Sequence, residues 1–207
     1  MEPSKPRKDK FVIGLTGNIA TGKSTVMALA AQRGALTIDA DELVHEILNH
    51  DTAVQDAIAA VFGAGVRHAD GKINRPALGK IVFNNPQTLR QLERIVHPAV
   101  YTLFAQRIRE TEAQIVMYEA IKLLEGKLRE SCDQIWVTTC TRERQLQRLQ
   151  RYRHMDETTA LSRIDAQAPQ EEKIAQANVV IDTNGTMQET EQQFEQAWSQ
   201  VEKPHND

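Results

Sequence analysis

Short apolar runs alternate with longer mixed runs along this chain. FVIGL (11–15), ALTIDA (35–40), IVMYEA (115–120), QIWVTT (134–139) and VVIDT (179–183) read as strands, and several of them are almost continuously apolar. That pattern belongs to parallel strands covered by helices on both faces, not to strands with one wet side. Helix-like stretches separate them, so the predicted class is a layered α/β fold. A helix over Val26 to Arg33 is closed by Gly34, which can take a positive φ without a Cβ clash. From 42 to 114 no strand is expected. Leu43, Ile47, Val54, Ile58, Val61 and Phe62 recur at helical intervals, FGAG and ADGK interrupt, and Leu78, Ile81, Val82, Leu89, Leu92 and Ile95 resume. A second helical patch, about 141–166, is rich in arginine, and the chain closes on a helix carrying Phe194 and Trp198.

The bulk properties narrow this picture only slightly. A chain of 207 residues with 41% hydrophobic and 26% charged side chains can bury one sizeable core, with small subdomains inserted. Its net charge of -3 opposes broad binding to nucleic acid or an anionic membrane, so positive charge for an anionic ligand has to be focused. Cys132 and Cys140 are too few for a disulfide framework and wrongly spaced for a zinc pair, and they are expected as plain buried thiols. The basic start MEPSKPRKDK reads as an exposed flexible tail over 1–10. With no apolar run of membrane-spanning length, a soluble cytoplasmic protein is expected.

The chemistry begins where the first strand ends. GNIATGKST fits G-x-x-x-x-G-K-[ST] through Gly17, Gly22, Lys23 and Ser24, in the strand-loop-helix setting this motif requires. Its glycines let backbone amides curl around an anion, and the following helix N-terminus adds partial positive charge. The nucleotide site therefore comprises Gly17, Asn18, Ala20, Thr21, Gly22, Lys23, Ser24 and Thr25. Lys23 reaches the β- and γ-phosphates, the Ser24 hydroxyl holds Mg²⁺, and Thr25 faces the α-phosphate. The second strand ends in IDADELVHE, with Asp39 and Asp41 at a carboxyl end. Asp41 is a candidate base for an acceptor hydroxyl, and Asp41 or Asp39 can equally be the N-cap of the next helix. In TRERQLQRLQRYR, Arg144, Arg148 and Arg151 share one helical face that can neutralise a transferring phosphoryl group.

In this order and spacing, GLTGNIATGKST, TIDADELVHE, INRPALGKIVF, LERIVHPAV, SRIDAQAPQEEK and ANVVIDTNGT resemble the dephospho-coenzyme A kinases from about residue 11 to 187. The resemblance implies a three-layer P-loop kinase fold: a parallel five-stranded sheet, an inserted helical substrate-binding subdomain and an Arg-rich helical lid. It divides a single domain, 1–207, into a nucleotide-binding core (11–41, 115–140 and 167–207), the subdomain (42–114) and the lid (141–166). It implies transfer of the ATP γ-phosphate to the ribose 3′-hydroxyl of dephospho-CoA, with ATP and Mg²⁺ as cofactors. Asp41 becomes the base, with Asp39 supporting it or lying near the metal. Arg75 and His97 line the CoA-side pocket, and Arg148 and Arg151 become the lid cations. Arg163, Gln167 and Lys173 match an R-x-x-x-Q…K spacing, and Asn184-Gly185 match an N-x-G near the nucleotide base.

The match has departures. Where the family carries Pro-Leu-Leu-Phe-Glu after an acid, this chain reads EAIKLLEGK. Glu119 and Glu125 are kept, while Ile121 and Lys122 replace the Pro-Leu. Two other readings stay open at this point: another small-molecule P-loop kinase, and a nucleotide-dependent regulatory module without catalysis. The guanine-reading N-K-x-D of GTPase switches is not in the sequence. The oligomeric state is also open, with a monomer slightly favoured.

Overall fold

The computed structural model describes residues 10–83 and 85–201, so all of the expected N-terminal tail except Lys10 lies outside the described residues. They form β1 (Phe11–Thr16), α1 (Lys23–Gln32), β2 (Leu36–Asp39), α2 (Ala40–His50), α3 (Thr52–Phe62), α4 (Arg75–Val82) and α5 (Pro86–Glu110). Then come β3 (Ile115–Glu119), β4 (Gln134–Thr139), α6 (Arg142–Arg153), α7 (Glu157–Asp165), α8 (Gln170–Ile174), β5 (Val179–Asp182) and α9 (Met187–Val201).

The five strands lie in the order β2-β3-β1-β4-β5. β1 pairs in parallel on both sides, with Leu15 beside Glu119 and Thr16 beside Val137, and β4 continues in parallel to β5. Each such pairing needs a crossover, which the intervening helices supply. Because the chain leaves β1 to build the sheet outward in both directions, the carboxyl end of β1 is where α/β folds open a ligand crevice. The central strands are buried along nearly their whole length, as their unbroken apolar runs predict. β5 differs. Its sequence is equally apolar, but it is an edge strand, and Val180 is 40% exposed.

The described residues fall into two compact units, Ile38–Thr111 on the one hand and residues 10–37 with 112–201 on the other. The sheet unit packs Ile13, Leu15, Val26, Met117 and Ile181 around an aromatic centre of Trp136, Phe194 and Trp198. Trp136 meets the other two rings edge-on, at 5.9 and 6.3 Å between centroids, which suits the quadrupoles of aromatic faces and edges. A smaller cluster joins Leu149, Ala160 and Ile164 of α6 and α7 to Ile19 and Ala20, so the arginine-rich segment is anchored to the glycine loop by apolar contact.

The other unit is helical. Asp39, Asp51, Asn74 and Asn85 each accept main-chain N–H bonds at the starts of α2, α3, α4 and α5, satisfying amides that have no intrahelical partner. Leu43, Ile47, Val54, Ile58, Leu78, Val82, Val100 and Phe104 are buried, following the 3.6-residue period. One extended element appears where none was expected: Arg67 and Ile73 form an antiparallel bridge around a turn in which Gly71 takes φ +88°. ADGK supplies that turn, and a single bridge is too short to produce a strand-like period.

Candidate active site

The loop after β1 has the backbone its sequence demands. Gly22 takes φ +93° and Gly17 φ +152°. A Cβ on Gly17 would stand 2.5 Å from Thr138 Oγ1 and 2.6 Å from the Thr138 carbonyl oxygen, which is why that position has no side chain. Gly17→Ala is therefore expected to cost about 1–3 kcal/mol of stability and to weaken nucleotide binding. Denaturant unfolding and an ATP titration check both. Ala20 also lies in the left-handed region, at φ +60°, a strain of about 1–2 kcal/mol that its surroundings must hold.

The start of α1 is built differently from those of α2 to α7. Each of those has an Asp, Asn or Thr side chain capping its amides, whereas α1 begins at Gly22 with no side-chain cap and no acidic residue in its first turn. Among the described residues, the amides of Ala20, Gly22 and Ser24 have no hydrogen-bond acceptor. The preceding amides are engaged: Asn18 N–H donates to Gln170 Oε1 at 3.3 Å and Ile19 N–H to Gln167 Oε1 at 2.6 Å. Open donors thus lie at and just before one end of a helix, where the dipole favours an anion. Lys23 leans over them. Its Nζ donates to the carbonyls of Gly17 (3.1 Å) and Asn18 (3.2 Å) and lies 3.7 Å from Glu119 Oε1, at the end of β3. Ser24 is exposed at the same helix end.

Below the loop lies a buried hydroxyl network. Thr21 Oγ1 and Thr138 Oγ1 are 2.8 Å apart, and Thr183 Oγ1 donates to the Thr21 carbonyl at 2.9 Å. Arg148 completes it, donating to the carbonyls of Ala20 (3.0 Å) and Thr183 (2.6 Å) and to Thr183 Oγ1 (2.8 Å). The helical face expected to lie over the nucleotide is therefore bonded, at Arg148, to the loop itself, and this bond joins the apolar packing of Leu149 and Ile164 in holding Ala20 in its strained conformation. Arg144 likewise donates to the Asn184 carbonyl at 2.6 Å, while Arg151 is exposed, with its guanidinium 5.4 Å from the Tyr152 ring. Asn184 accepts from Thr141 N–H (2.7 Å) and donates to Asp182 (2.8 Å), tying the loop after β5 to the start of α6. Between these elements and α1 a cavity of about 460 Å³ opens, lined by Gly22, Thr25, Arg148, Tyr152, Thr183 and Met187 among others.

Gln167 and Lys173 both reach the loop, Lys173 through a 2.7 Å bond from Nζ to Asn18 Oδ1, whereas Arg163 is exposed. In the helical unit, Asp39 Oδ1 accepts from the amides of Asp41 (2.7 Å) and Glu42 (3.4 Å). The N-cap of α2 is thus Asp39. Asp41 is exposed in the first turn, Arg75 is exposed as the first residue of α4, and His97 is exposed on α5 with its ring 6.0 Å from that of Tyr101. Sequence reasoning missed Gln170, Thr138 and Thr183. Gln170 had a signal, since it stands midway between Gln167 and Lys173, but single threonines at strand ends have none. Of the two thiols, Cys140 is buried, and burial pushes Cys132 up to about 12, leaving it an inert thiol.

A parallel α/β sheet whose central strand runs into an uncapped, lysine-bearing glycine loop defines a P-loop nucleotide-binding fold. The dephospho-CoA kinase family model matches residues 11–189. A dephospho-CoA kinase of Geobacter metallireducens is 42% identical over 93% of this chain and 98% of its own. Among solved structures, a Thermus thermophilus protein matches with TM-score 0.81 and 28% identity, covering 94% of this chain and 99% of that one. The Campylobacter jejuni dephospho-CoA kinase matches with TM-score 0.60 and 25% identity, covering 93% and 97%. The chain belongs to the dephospho-CoA kinase family, ATP-dependent enzymes that phosphorylate an alcohol. No helix among the described residues is long and apolar enough to cross a membrane.

Proposed function

We propose that this chain phosphorylates the ribose 3′-hydroxyl of dephospho-CoA, with the loop gripping ATP and Asp41 receiving the hydroxyl proton. The observation that carries this reading is the uncapped start of α1, where the amides of Ala20, Gly22 and Ser24 have no acceptor among the described residues, next to Lys23. A triphosphate answers all of these donors at once. The amides and Lys23 neutralise its charge, and the cavity beside Thr25 and Thr183 is of nucleoside size.

Among the described residues no cluster of three or more His, Cys, Asp or Glu could hold a metal by itself. Mg²⁺ keeps several waters and needs few protein ligands; the exposed Ser24 hydroxyl would hold it, and when bound it would supply further charge neutralisation. Arg148 contributes positive charge from a fixed place at the Ala20 carbonyl, whereas Arg151, exposed further along the same helix, joins the transferring group by reorienting its own long side chain. The Asn184 loop bounds the base end of the site. On the acceptor side, Asp41 accepts the proton as the oxygen attacks, Asp39 holds the turn that carries Asp41, and Arg75 and His97 contact the CoA moiety.

The test is a side-by-side turnover assay with Mg-ATP, offering dephospho-CoA and a panel of nucleosides, nucleotides and sugars. Coenzyme A is expected from dephospho-CoA, with rates at least about 10²-fold lower for the panel. Turnover of a panel member in preference to dephospho-CoA would overturn the acceptor assignment, and ATP binding without transfer to any acceptor would mark a regulatory module instead.

A further inference from the structure

We propose that Lys173 is a second phosphate-facing cation, reaching the terminal phosphoryl group of the bound nucleotide beside Asn18 and making the loop prefer a triphosphate to a diphosphate. This rests on the nucleotide reading above and adds a residue to it.

Two ammonium groups converge on one residue of the loop. Lys23 Nζ donates to the main-chain carbonyl of Asn18 at 3.2 Å, and Lys173 Nζ donates to its side-chain Oδ1 at 2.7 Å. Asn18 is 7% exposed and held in place, with Nδ2 donating to the Ala168 carbonyl at 3.0 Å, so Oδ1 has to face Lys173. Two like charges brought to one uncharged residue repel; Glu119 stands 3.7 Å from Lys23, and an anion shared by both ammonium groups would offset the repulsion directly. Burial, and after it the neighbouring Lys23 ammonium, lower the Lys173 pKa, while the Glu125 carboxylate partly offsets them. No carboxylate among the described residues forms an ion pair with Lys173.

A brace alone would not require a charge here. Gln167 and Gln170, in the same segment, secure the Ile19 and Asn18 amides with neutral side chains. The third position of the segment instead takes a half-buried ammonium, whose desolvation is unfavourable without an anion to meet. The location selects the phosphate. The open amides of Ala20, Gly22 and Ser24 lie in the second half of the loop and receive the inner phosphates. Lys23 folds back to Gly17 and Asn18 in the first half, so the terminal group lies there, next to Lys173.

The experiment titrates the full chain with ATP and with ADP, for wild type, Lys173→Met, Lys173→Gln, Lys173→Arg and Asn18→Ala, alongside steady-state kinetics with dephospho-CoA. Lys173→Met is expected to weaken ATP about tenfold or more, ADP less than about threefold, and to lower kcat about tenfold. Lys173→Arg, which keeps the charge, recovers most of the ATP preference. Asn18→Ala, which removes the anchor but not the charge, weakens both nucleotides alike. Lys173→Gln keeps a donor for Asn18 without the charge, and decides by the same ratio if the methionine variant does not fold. Equal weakening of ATP and ADP, or none, in the charge-free variants overturns the proposal, as does loss of the ATP preference in Asn18→Ala. Wild type that neither binds ATP nor makes coenzyme A would instead overturn the reading on which this one rests.

Discussion

Replacing Lys23 with alanine is expected to lower kcat/KM by about 10³-fold or more while leaving the protein folded. The size follows from where the charge sits. The Lys23 and Glu119 side chains are only 11% and 14% exposed, and their charges lie 3.7 Å apart, so water screens little of the field that Lys23 applies to a phosphate. The substitution removes the ammonium proposed to meet the β- and γ-phosphates, and with it the cation that lies 3.7 Å from Glu119 Oε1. ATP affinity and kcat should therefore both fall. The protein should stay folded with a moderate loss of stability, because the apolar core under α1, built on Val26, Leu29 and Ala30, is untouched while the contact to Glu119 is lost. Steady-state kinetics, an ATP titration and a thermal melt check these three statements together. Unchanged turnover would overturn the role of the loop.

Asp41→Asn is expected to lower kcat by about 10²- to 10⁴-fold and to leave ATP affinity within about threefold of wild type. Asparagine keeps the shape of the side chain but cannot accept the acceptor hydroxyl's proton. The structure makes this variant clean, because the cap of α2 is Asp39 and the Asp41 side chain is exposed in the first turn. Asp39→Ala serves as the contrast. It loses two capping bonds, with a stability cost of about 1 kcal/mol, and affects activity through the placement of the turn. A kcat loss confined to Asp39→Ala would move the base assignment away from Asp41.

Both predictions concern residues singled out in the sequence, but for different reasons. Lys23 is defined by its neighbours in a contiguous motif, whereas the apolar pattern only places Asp39 and Asp41 at the end of a strand, and it is the family resemblance that singles out Asp41 as the base. The local chemistry of Arg144 and Arg148 was visible too, as three arginines on one helical face, but their targets were not. A helical period reports which side chains share a face and carries nothing about what that face meets. Here Arg148 meets the carbonyls of Ala20 and Thr183, 128 and 35 positions away, and helps to hold a strained loop residue. The alternative between Asp39 and Asp41 as N-cap was open for a similar reason. Both are good capping residues, and only the backbone turning point, φ -96° and ψ 126° at Asp39, decides between them.

By itself, the sequence determined the parallel strands, the helical insertion between them and the anion-binding loop, because strand period, helix period and turn chemistry are local and each is written in adjacent residues. Tertiary structure alone decided that β1 lies between β3 and β4, and that α8 returns beneath the loop so that Lys173 meets Asn18 across 155 positions of chain. Contacts of that range depend on how buried faces pack and how the crossovers close, and no periodicity in the sequence records either.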